Sequence, residues 1–328
     1  MTARPAQADI PKMEIEGGAR PLCDAVMIVG FGGPSSAGEI RPFLDRVLQG
    51  RPVSRERYEE VVHHYESLGG RSPYNELTFR QAAALRAKLE AAGIGAPIVV
   101  GMRNTPPFIE ASLRDLAARG ARRVFGFILA AHRCEASWER YQRDVAEARA
   151  RIGASPPEVV YPSSWHDDPR FIAAVADRAR AALDRLDATV RDEAELIFTA
   201  HSIPARMAAE SPYVTQLQRS AELVAGALGR SRWRIAYQSR SGGPREPWLE
   251  PEVNEALRST RARAAVAVPI GFLCDHVEVL YDLDIEAAGT ARSAGVAFER
   301  AATVSDHPQF IELIAALARA HLIAGTKA

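Results

Sequence analysis

Short apolar runs alternate with longer amphipathic segments along almost the whole chain. The apolar runs are nearly continuous in Val, Ile, Phe and Ala, which is typical of strands buried on both faces of a parallel sheet. They predict strands at residues 24–32, 97–102, 123–130, 158–162, 195–202, 234–239, 264–272 and 296–301. The amphipathic segments predict helices at 37–48, 54–67, 76–92, 107–119, 136–152, 168–186, 214–229, 277–288 and 307–324.

This alternation of strands and helices predicts an α/β protein. Eight strands can form one closed barrel or two sheets of four. The turn-rich sequence YPSSWHDDP at residues 161–169 interrupts the pattern half-way along the chain and favours two halves. We expect a flexible tail at 1–20, an N-terminal domain at 21–163 and a C-terminal domain at 164–328. Ligands of open parallel sheets bind beyond the carboxyl ends of the strands, so we expect an active-site cleft between the halves.

The composition is that of a globular protein without net charge. The 328 residues include 41 basic and 41 acidic ones, which argues against nucleic-acid binding and against a polybasic membrane surface. No apolar run is long enough for a transmembrane helix, and the first twenty residues lack the apolar core of a signal peptide. Cys23, Cys134 and Cys274 are too few to hold an iron–sulfur cluster and indicate a reducing, cytoplasmic setting.

Five acidic residues crowd into residues 275–286, and no Lys or Arg occurs within residues 264–291. On an α-helix Glu278, Asp282 and Glu286 would lie on one stripe, where like charges repel. The stripe therefore predicts an outside source of positive charge, for which a labile divalent cation is the simple candidate. An ordinary solvated face is the alternative. A zinc deaminase is excluded, because its His-x-Glu needs a downstream PCxxC that is missing.

Other predicted strand ends carry further candidate chemistry. His201, in FTAHSIP, can accept a proton near neutral pH if it faces a cleft, or it is a hydrogen-bonded structural residue. Ser202 beside it suggests a serine hydrolase, but the GxSxG motif is absent. Arg133 suits a substrate carboxylate or is an ordinary surface residue. Trp248 suits a flat ligand or anchors its own loop.

The glycine-rich turn VGFGGP at residues 29–34 does not predict a dinucleotide site. The fingerprint requires a glycine where Ser35 stands, and Pro34 lacks the backbone donor that a phosphate would need. A tight turn in which the backbone approaches a flat or bulky group is the better interpretation.

Several of these motifs together resemble the ferrochelatases, which insert ferrous iron into a porphyrin during haem synthesis. The resemblance extends from about residue 24 to the C-terminus. It rests on FGGP, HYESLGGRSPYNE, FTAHSIP, YQSRSG…PWLEP and PIGFLCDHVEVLYDLDIE, in that order. It implies two Rossmann-like halves, each a four-stranded parallel sheet flanked by helices, with the porphyrin in the cleft between them.

The resemblance also implies roles for individual residues. His201 would stand at the porphyrin centre, with Glu278 facing it across the metal site as the second catalytic residue. Asp282 and Glu286 would continue outward from Glu278 as an acidic row that handles the metal. The expected porphyrin contacts are Phe31, Ser72, Arg133, Ser202 and Trp248.

Within the family, the chain resembles the coproporphyrin III enzymes more than the protoporphyrin IX enzymes. Segment 35–63 is short and charged where membrane-associated members carry an apolar lip, and their C-terminal extension and cluster cysteines are missing. Phe31 stands where some members have an iron-ligating tyrosine, and Arg133 stands where many have a substrate-contacting one. The resemblance implies Fe²⁺ as substrate and no permanently bound cofactor, and we expect a cytoplasmic monomer. The alternatives are a protoporphyrin IX ferrochelatase, a cobalt or nickel tetrapyrrole chelatase, and a non-catalytic porphyrin-binding protein.

Overall fold

The central strands of this protein are apolar and almost completely buried, whereas the edge strands are partly exposed. The computed structural model describes residues 22–50, 53–242 and 246–322. All six residues of the first strand, AVMIVG, are buried, which suits a sheet covered by helices on both faces. The strands are β1 Ala25–Gly30, β2 Ile98–Met102, β3 Arg123–Ile128, β4 Glu158–Val160, β5 Glu195–His201, β6 Trp233–Gln238, β7 Ala264–Val268 and β8 Ala297–Arg300.

The strands form two four-stranded parallel sheets with the same strand order. The first sheet runs β2–β1–β3–β4 and the second runs β6–β5–β7–β8. In each sheet the second strand lies on one side of the first strand and the third strand lies on the other side. This change of side is the topological switch point, where open α/β sheets bind ligands. The predicted architecture of two four-stranded parallel sheets is confirmed.

Helices cover both faces of each sheet. Three of them have irregular turns: a 3₁₀ turn at Ala37–Glu39 precedes α1, a π-helical turn at Glu135–Glu139 precedes α5, and α11 is π-helical in its middle. The helices are α1 Ile40–Leu48, α2 Arg55–Ser67, α3 Tyr74–Ala91, α4 Ile109–Ala118, α5 Arg140–Ile152, α6 Pro169–Leu183, α7 Ala188–Arg191, α8 Ala205–Ala209, α9 Tyr213–Ala227, α10 Val253–Ser259, α11 Val277–Val279 with Leu280–Ala287 and Ala288–Ser293, and α12 Pro308–Arg319.

Each predicted strand and helix has a counterpart in the structure, and the differences have simple causes. Strand β7 ends at Val268, before the predicted 272, because Pro269 cannot donate a ladder hydrogen bond and the Ile270 amide donates back to the Val268 carbonyl at 2.7 Å. The short helices α7, α8 and α10 were not predicted, since so few residues show no helical period.

The last helix connects the two halves. α12 belongs to the second half by sequence, yet it packs on α3 of the first half as well as on α6. Lys88 of α3 pairs with Glu312 of α12 at 2.7 Å. Phe310 of α12 belongs to one continuous buried cluster with Phe127 of β3 and Phe198 of β5. The predicted domain limits near residue 163 remain a prediction, because the core crosses them.

The helices are amphipathic. Within the described ranges no helix combines the length and the apolar character that crossing a bilayer requires. The tail predicted at residues 1–20 lies outside the described residues.

Candidate active site

A cavity of about 620 Å³ lies between the two sheets, where their strands end. This volume is within the range of small-molecule binding sites. The first half contributes the loops after β1 and β3, and the second half contributes the loops after β5 and β7. Residues that line the cavity include Phe31, Tyr65, Ser72, Tyr74, His132, Arg140, Tyr141, His201, Tyr213, Trp248, His276 and Glu278.

His201 is the last residue of β5, so the strand delivers its side chain directly to the cavity. Its Nδ1 is hydrogen-bonded to the carbonyl oxygen of Ser202, which can only accept, so Nδ1 carries the proton. Nε2 is left with its lone pair on the side that faces Glu278. Tyr213 Oη donates to the His201 carbonyl at 2.9 Å and fixes the backbone. His201 therefore presents a base, or a metal ligand, to the cavity.

Glu278 faces His201 from the first turn of α11. Its Oε1 lies 3.9 Å from His201 Nε2, and both side chains are partly exposed. This separation is too long for a hydrogen bond and leaves the two groups directed at shared space. Gln238 at the end of β6 donates to the Glu278 carbonyl at 2.8 Å, which ties the start of the helix to the second sheet.

Asp282 lies next along the helix, in its π-helical part. Its Oδ2 accepts hydrogen bonds from Ser239 Oγ and, at 3.4 Å, from Gln238 Nε2. Burial raises the pKa of Asp282 to about 7, and repulsion by Glu278 and Glu286 acts in the same direction, against the Ser239 hydrogen bond. This carboxyl group can therefore gain and lose a proton near neutral pH.

Glu286 ends the acidic row at the protein surface. Partial desolvation raises the pKa of this carboxyl group, and the carboxylates of Glu252 and Glu60 raise it further. Among the described residues, no group of three or more His, Cys, Asp or Glu converges on one point that could hold a metal ion. Glu278, Asp282 and Glu286 follow one another along α11.

Two of the five acidic residues in this stretch do have a cationic partner, which the sequence did not reveal. Arg300 of β8 pairs with Asp284 at 2.6 Å and with Asp275 at 3.2 Å. Because β8 lies beside β7 in the sheet, this arginine reaches residues that are far from it in sequence. The stripe without a lysine or arginine partner is therefore narrower than predicted. Glu278 lies within ion-pair distance of two histidines, His201 and His276, and the positive charge of Arg57 acts to lower the pKa of Glu286.

His276, the histidine of the His-x-Glu sequence, is a neighbour of Glu278 that was not predicted as a site residue. Its Nδ1 accepts a hydrogen bond from the Glu278 amide at 3.2 Å and so caps α11. Burial lowers the pKa of His276, so it stays neutral and brings no counter-charge to Glu278. In the sequence only the His-x-Glu spacing could have drawn attention to His276, and in the structure this spacing forms a helix cap.

Phe31, Ser72 and Trp248, three of the expected porphyrin contacts, line the cavity. The Phe31 amide donates to Tyr74 Oη at 2.9 Å, which holds the residue at the end of β1. Trp248 packs against Gly242 so closely that a Cβ there would lie 2.3 Å from the indole ring. These contacts place flat and hydroxyl-bearing side chains around an open space.

The glycines of FGGP allow the backbone to approach protein side chains. Gly32 has a φ of +86°, and a Cβ on Gly33 would lie 2.8 Å from the Ser72 side chain. The Gly33 amide donates to Asn75 Oδ1 at 3.0 Å, so this donor is used by the protein. The turn therefore has the tight-turn role that the sequence favoured, and not a phosphate-binding one.

Of the two remaining expected porphyrin contacts, Ser202 lines the cavity and Arg133 does not. The Arg133 guanidinium lies 3.7 Å from the centre of the Trp138 ring and donates to the Pro162 carbonyl at 2.9 Å, away from the cavity. Ser202 lies at the cavity wall, but its hydroxyl donates to the Leu249 carbonyl at 2.9 Å. In both cases a local partner absent from the motif itself determines where the side chain points.

Residues 23–322 match the family model described as Ferrochelatase. The chain belongs to the ferrochelatase family. A ferrochelatase of Rhodopirellula baltica is 40% identical over 306 residues, covering 92% of this chain and 87% of the relative. A coproporphyrin III ferrochelatase of Mycolicibacterium smegmatis is 40% identical over 297 residues, covering 89% and 87%. One of Mycobacterium tuberculosis is 39% identical over 296 residues, covering 88% and 83%.

Solved structures show that other chelatases share this ferrochelatase-family fold. SirB of Bacillus subtilis with Fe³⁺ has a TM-score of 0.57 at 12% identity, covering 91% of this chain and 95% of SirB. CbiX, described as the terminal enzyme of sirohaem biosynthesis in denitrifying bacteria, has a TM-score of 0.52 at 13% identity, covering 91% and 99%. The resemblance noted from the sequence motifs is confirmed.

Proposed function

We propose that this member of the ferrochelatase family inserts ferrous iron into coproporphyrin III and releases Fe-coproporphyrin III. The observation that carries the proposal is the His201–Glu278 pair, which faces shared space from 3.9 Å inside a cavity of about 620 Å³. The names of the relatives from Mycolicibacterium smegmatis and Mycobacterium tuberculosis support coproporphyrin III as the porphyrin.

The reaction exchanges two pyrrole N–H protons for one Fe²⁺ ion, so the site must accept protons and pass a cation. His201 Nε2, with its lone pair, and the Glu278 carboxylate can each do either task. Asp282, with a pKa of about 7, can take a proton from the cavity and release it toward Glu286 and solvent. The acidic row therefore connects the reacting centre to the surface.

The iron is a substrate in this scheme, and no permanently bound cofactor is invoked. We further propose that the protein acts as a cytoplasmic monomer. The three cysteines are all buried and the formal net charge is zero, which suits a reducing compartment and argues against an anionic membrane surface.

Anaerobic metallation followed by absorbance tests the proposal. Coproporphyrin III and protoporphyrin IX are supplied side by side with Fe²⁺, and Co²⁺ and Zn²⁺ serve as comparison metals. We expect coproporphyrin III with Fe²⁺ to react fastest. Equal or better use of protoporphyrin IX would overturn the choice of porphyrin, and preferred use of Co²⁺ would overturn the choice of metal.

The catalytic assignment has its own test. We expect His201→Ala and Glu278→Gln each to lower kcat by at least about a hundredfold, the range of positioned acid–base groups, while the protein stays folded. Wild-type turnover in both variants would refute the assignment.

A further inference from the structure

The backbone of Phe31 is held by side chains rather than by the sheet. The ladder between β1 and β2 ends at the pair Gly30 and Met102, one residue before Phe31. Within the described ranges, the Phe31 amide donates to the Tyr74 hydroxyl at 2.9 Å. The Phe31 carbonyl accepts from the Asn104 side chain at 3.0 Å. A backbone N–H without an acceptor is costly, so the Tyr74 hydroxyl determines where the end of β1 lies.

Tyr74 is itself fixed in place. It is the first residue of α3 and is only 8% exposed. Its ring lies edge-on to His276 of the second half, with 6.1 Å between the ring centres. Gly30 leaves room for the hydroxyl beside the strand, since a Cβ there would lie 3.1 Å from Tyr74 Oη. The hydroxyl therefore belongs to a side chain that cannot easily follow Phe31 if that residue shifts.

Phe31 and the reacting pair belong to opposite walls of one cavity. Phe31 and Tyr74 come from the first half, whereas His201 and Glu278 come from the second. A flat ligand that presents one face to the reacting pair presents the other toward the wall that contains Phe31. The position of Phe31 then sets how closely the ligand approaches the pair, and small misplacements of reacting groups have large effects on rate.

We propose that Tyr74 is a positioning residue for this reaction, whose hydroxyl holds Phe31 so that Phe31 holds the porphyrin against His201 and Glu278. The inference rests on the proposed function, because it adds a residue to the same site. Burial raises the pKa of the Tyr74 phenol well above its usual value, so the phenol stays protonated and does not serve as the base. Tyr74 therefore acts through Phe31.

Metallation kinetics with coproporphyrin III, together with fluorescence binding of the metal-free porphyrin, test the inference. Tyr74→Phe removes only the hydroxyl. Tyr58→Phe is the matched control, because the Tyr58 hydroxyl donates to Asp45 at 2.9 Å on the exposed surface of α1 and α2. We expect Tyr74→Phe to lower kcat about tenfold, while KM and the Kd of the metal-free porphyrin stay within about threefold. Tyr58→Phe should react like the wild type.

A double-mutant cycle with Phe31→Ala separates positioning from a general loss of structure. If the hydroxyl acts through the Phe31 ring, adding Tyr74→Phe to Phe31→Ala should change kcat by less than about twofold. Asn104→Ala, which frees the Phe31 carbonyl from the side-chain hydrogen bond, should also lower kcat with little change in KM.

An equal loss of kcat from Tyr74→Phe in both backgrounds would overturn the inference. So would an unchanged kcat in Tyr74→Phe, or an equal loss in Tyr58→Phe. If the wild-type protein itself neither binds nor metallates porphyrins, the proposed function fails, and this outcome is distinct from failure of the Tyr74 contact alone.

Discussion

Replacing Asp282 by asparagine should stabilise this protein at alkaline pH while impairing its activity. The carboxyl group is held in a partly buried site beside Glu278, and its pKa is raised from an ordinary 3.8 to about 7. Asparagine has nearly the same shape and no charge. Its amide oxygen can still accept the hydrogen bond from Ser239 Oγ.

The sign and size of the effect follow from proton linkage. Below about pH 4 Asp282 is protonated in the folded and the unfolded protein, so its shift costs no stability. Between pH 4 and 7 the unfolded chain loses this proton while the folded protein keeps it, so wild-type stability falls as the pH rises. At about 1.36 kcal/mol per pH unit, the cost above pH 7 reaches at most about 4 kcal/mol. Partial solvent access and the weaker hydrogen bonds of a neutral group reduce the expected gain to about 1–2 kcal/mol.

The assay is urea unfolding of wild type and Asp282→Asn at pH 5, 6, 7 and 8, with metallation rates measured on the same samples. The stability difference should grow in favour of the variant up to about pH 7 and then level off. Turnover should fall, because the variant cannot carry a proton along the row. A difference that is the same at every pH, or a variant that is less stable at pH 8, would refute the argument that burial of this charge is costly.

Two further changes test the surroundings of the site. Arg300→Gln should lower the free energy of unfolding, measured by urea titration, by about 2–3 kcal/mol, because it leaves Asp275 and Asp284 without their partner. A cost below about 0.5 kcal/mol would show that water replaces the arginine. Gly271→Ala should lower the free energy of unfolding by about 1–3 kcal/mol, because the new Cβ would lie 2.5 Å from the Cβ of Ala200 in β5. An unchanged melting temperature would mean that the loop after β7 moves freely.

The sequence was most informative where the signal is local. Apolar runs located every strand, and the rule that ligands bind beyond strand ends led to His201 and to the stretch that contains Glu278. Each of these inferences uses residues that are adjacent in the chain. His201 ends one buried strand and Glu278 follows another strand of the same sheet. Formation of this sheet is therefore almost enough to bring the two side chains together.

The parts that the sequence could not predict depend on contacts between distant residues. Arg300 neutralises Asp275 and Asp284 only because β8 lies beside β7, and no spacing rule expresses that. The position of Arg133 depends on the Trp138 ring and the Pro162 carbonyl, which its guanidinium contacts in three dimensions. The π-helical turns inside α11 and before α5 are also invisible to a pattern of apolar residues, because they change the helical period by a small amount over a few residues.

The packing of α12 has a consequence for synthesis on the ribosome. Helix α3 packs on β2 of the first sheet and also on residues 308–319, which are translated after the whole second sheet. Leu85 and Leu89 of α3 belong to the same buried cluster as Phe310 of α12, so the first half leaves the ribosome before this cluster is complete. Nascent chains of this protein should remain substrates for chaperones until the last helix docks, and release of a chain that stops before Pro308 should lead to aggregation rather than to a stable N-terminal fragment.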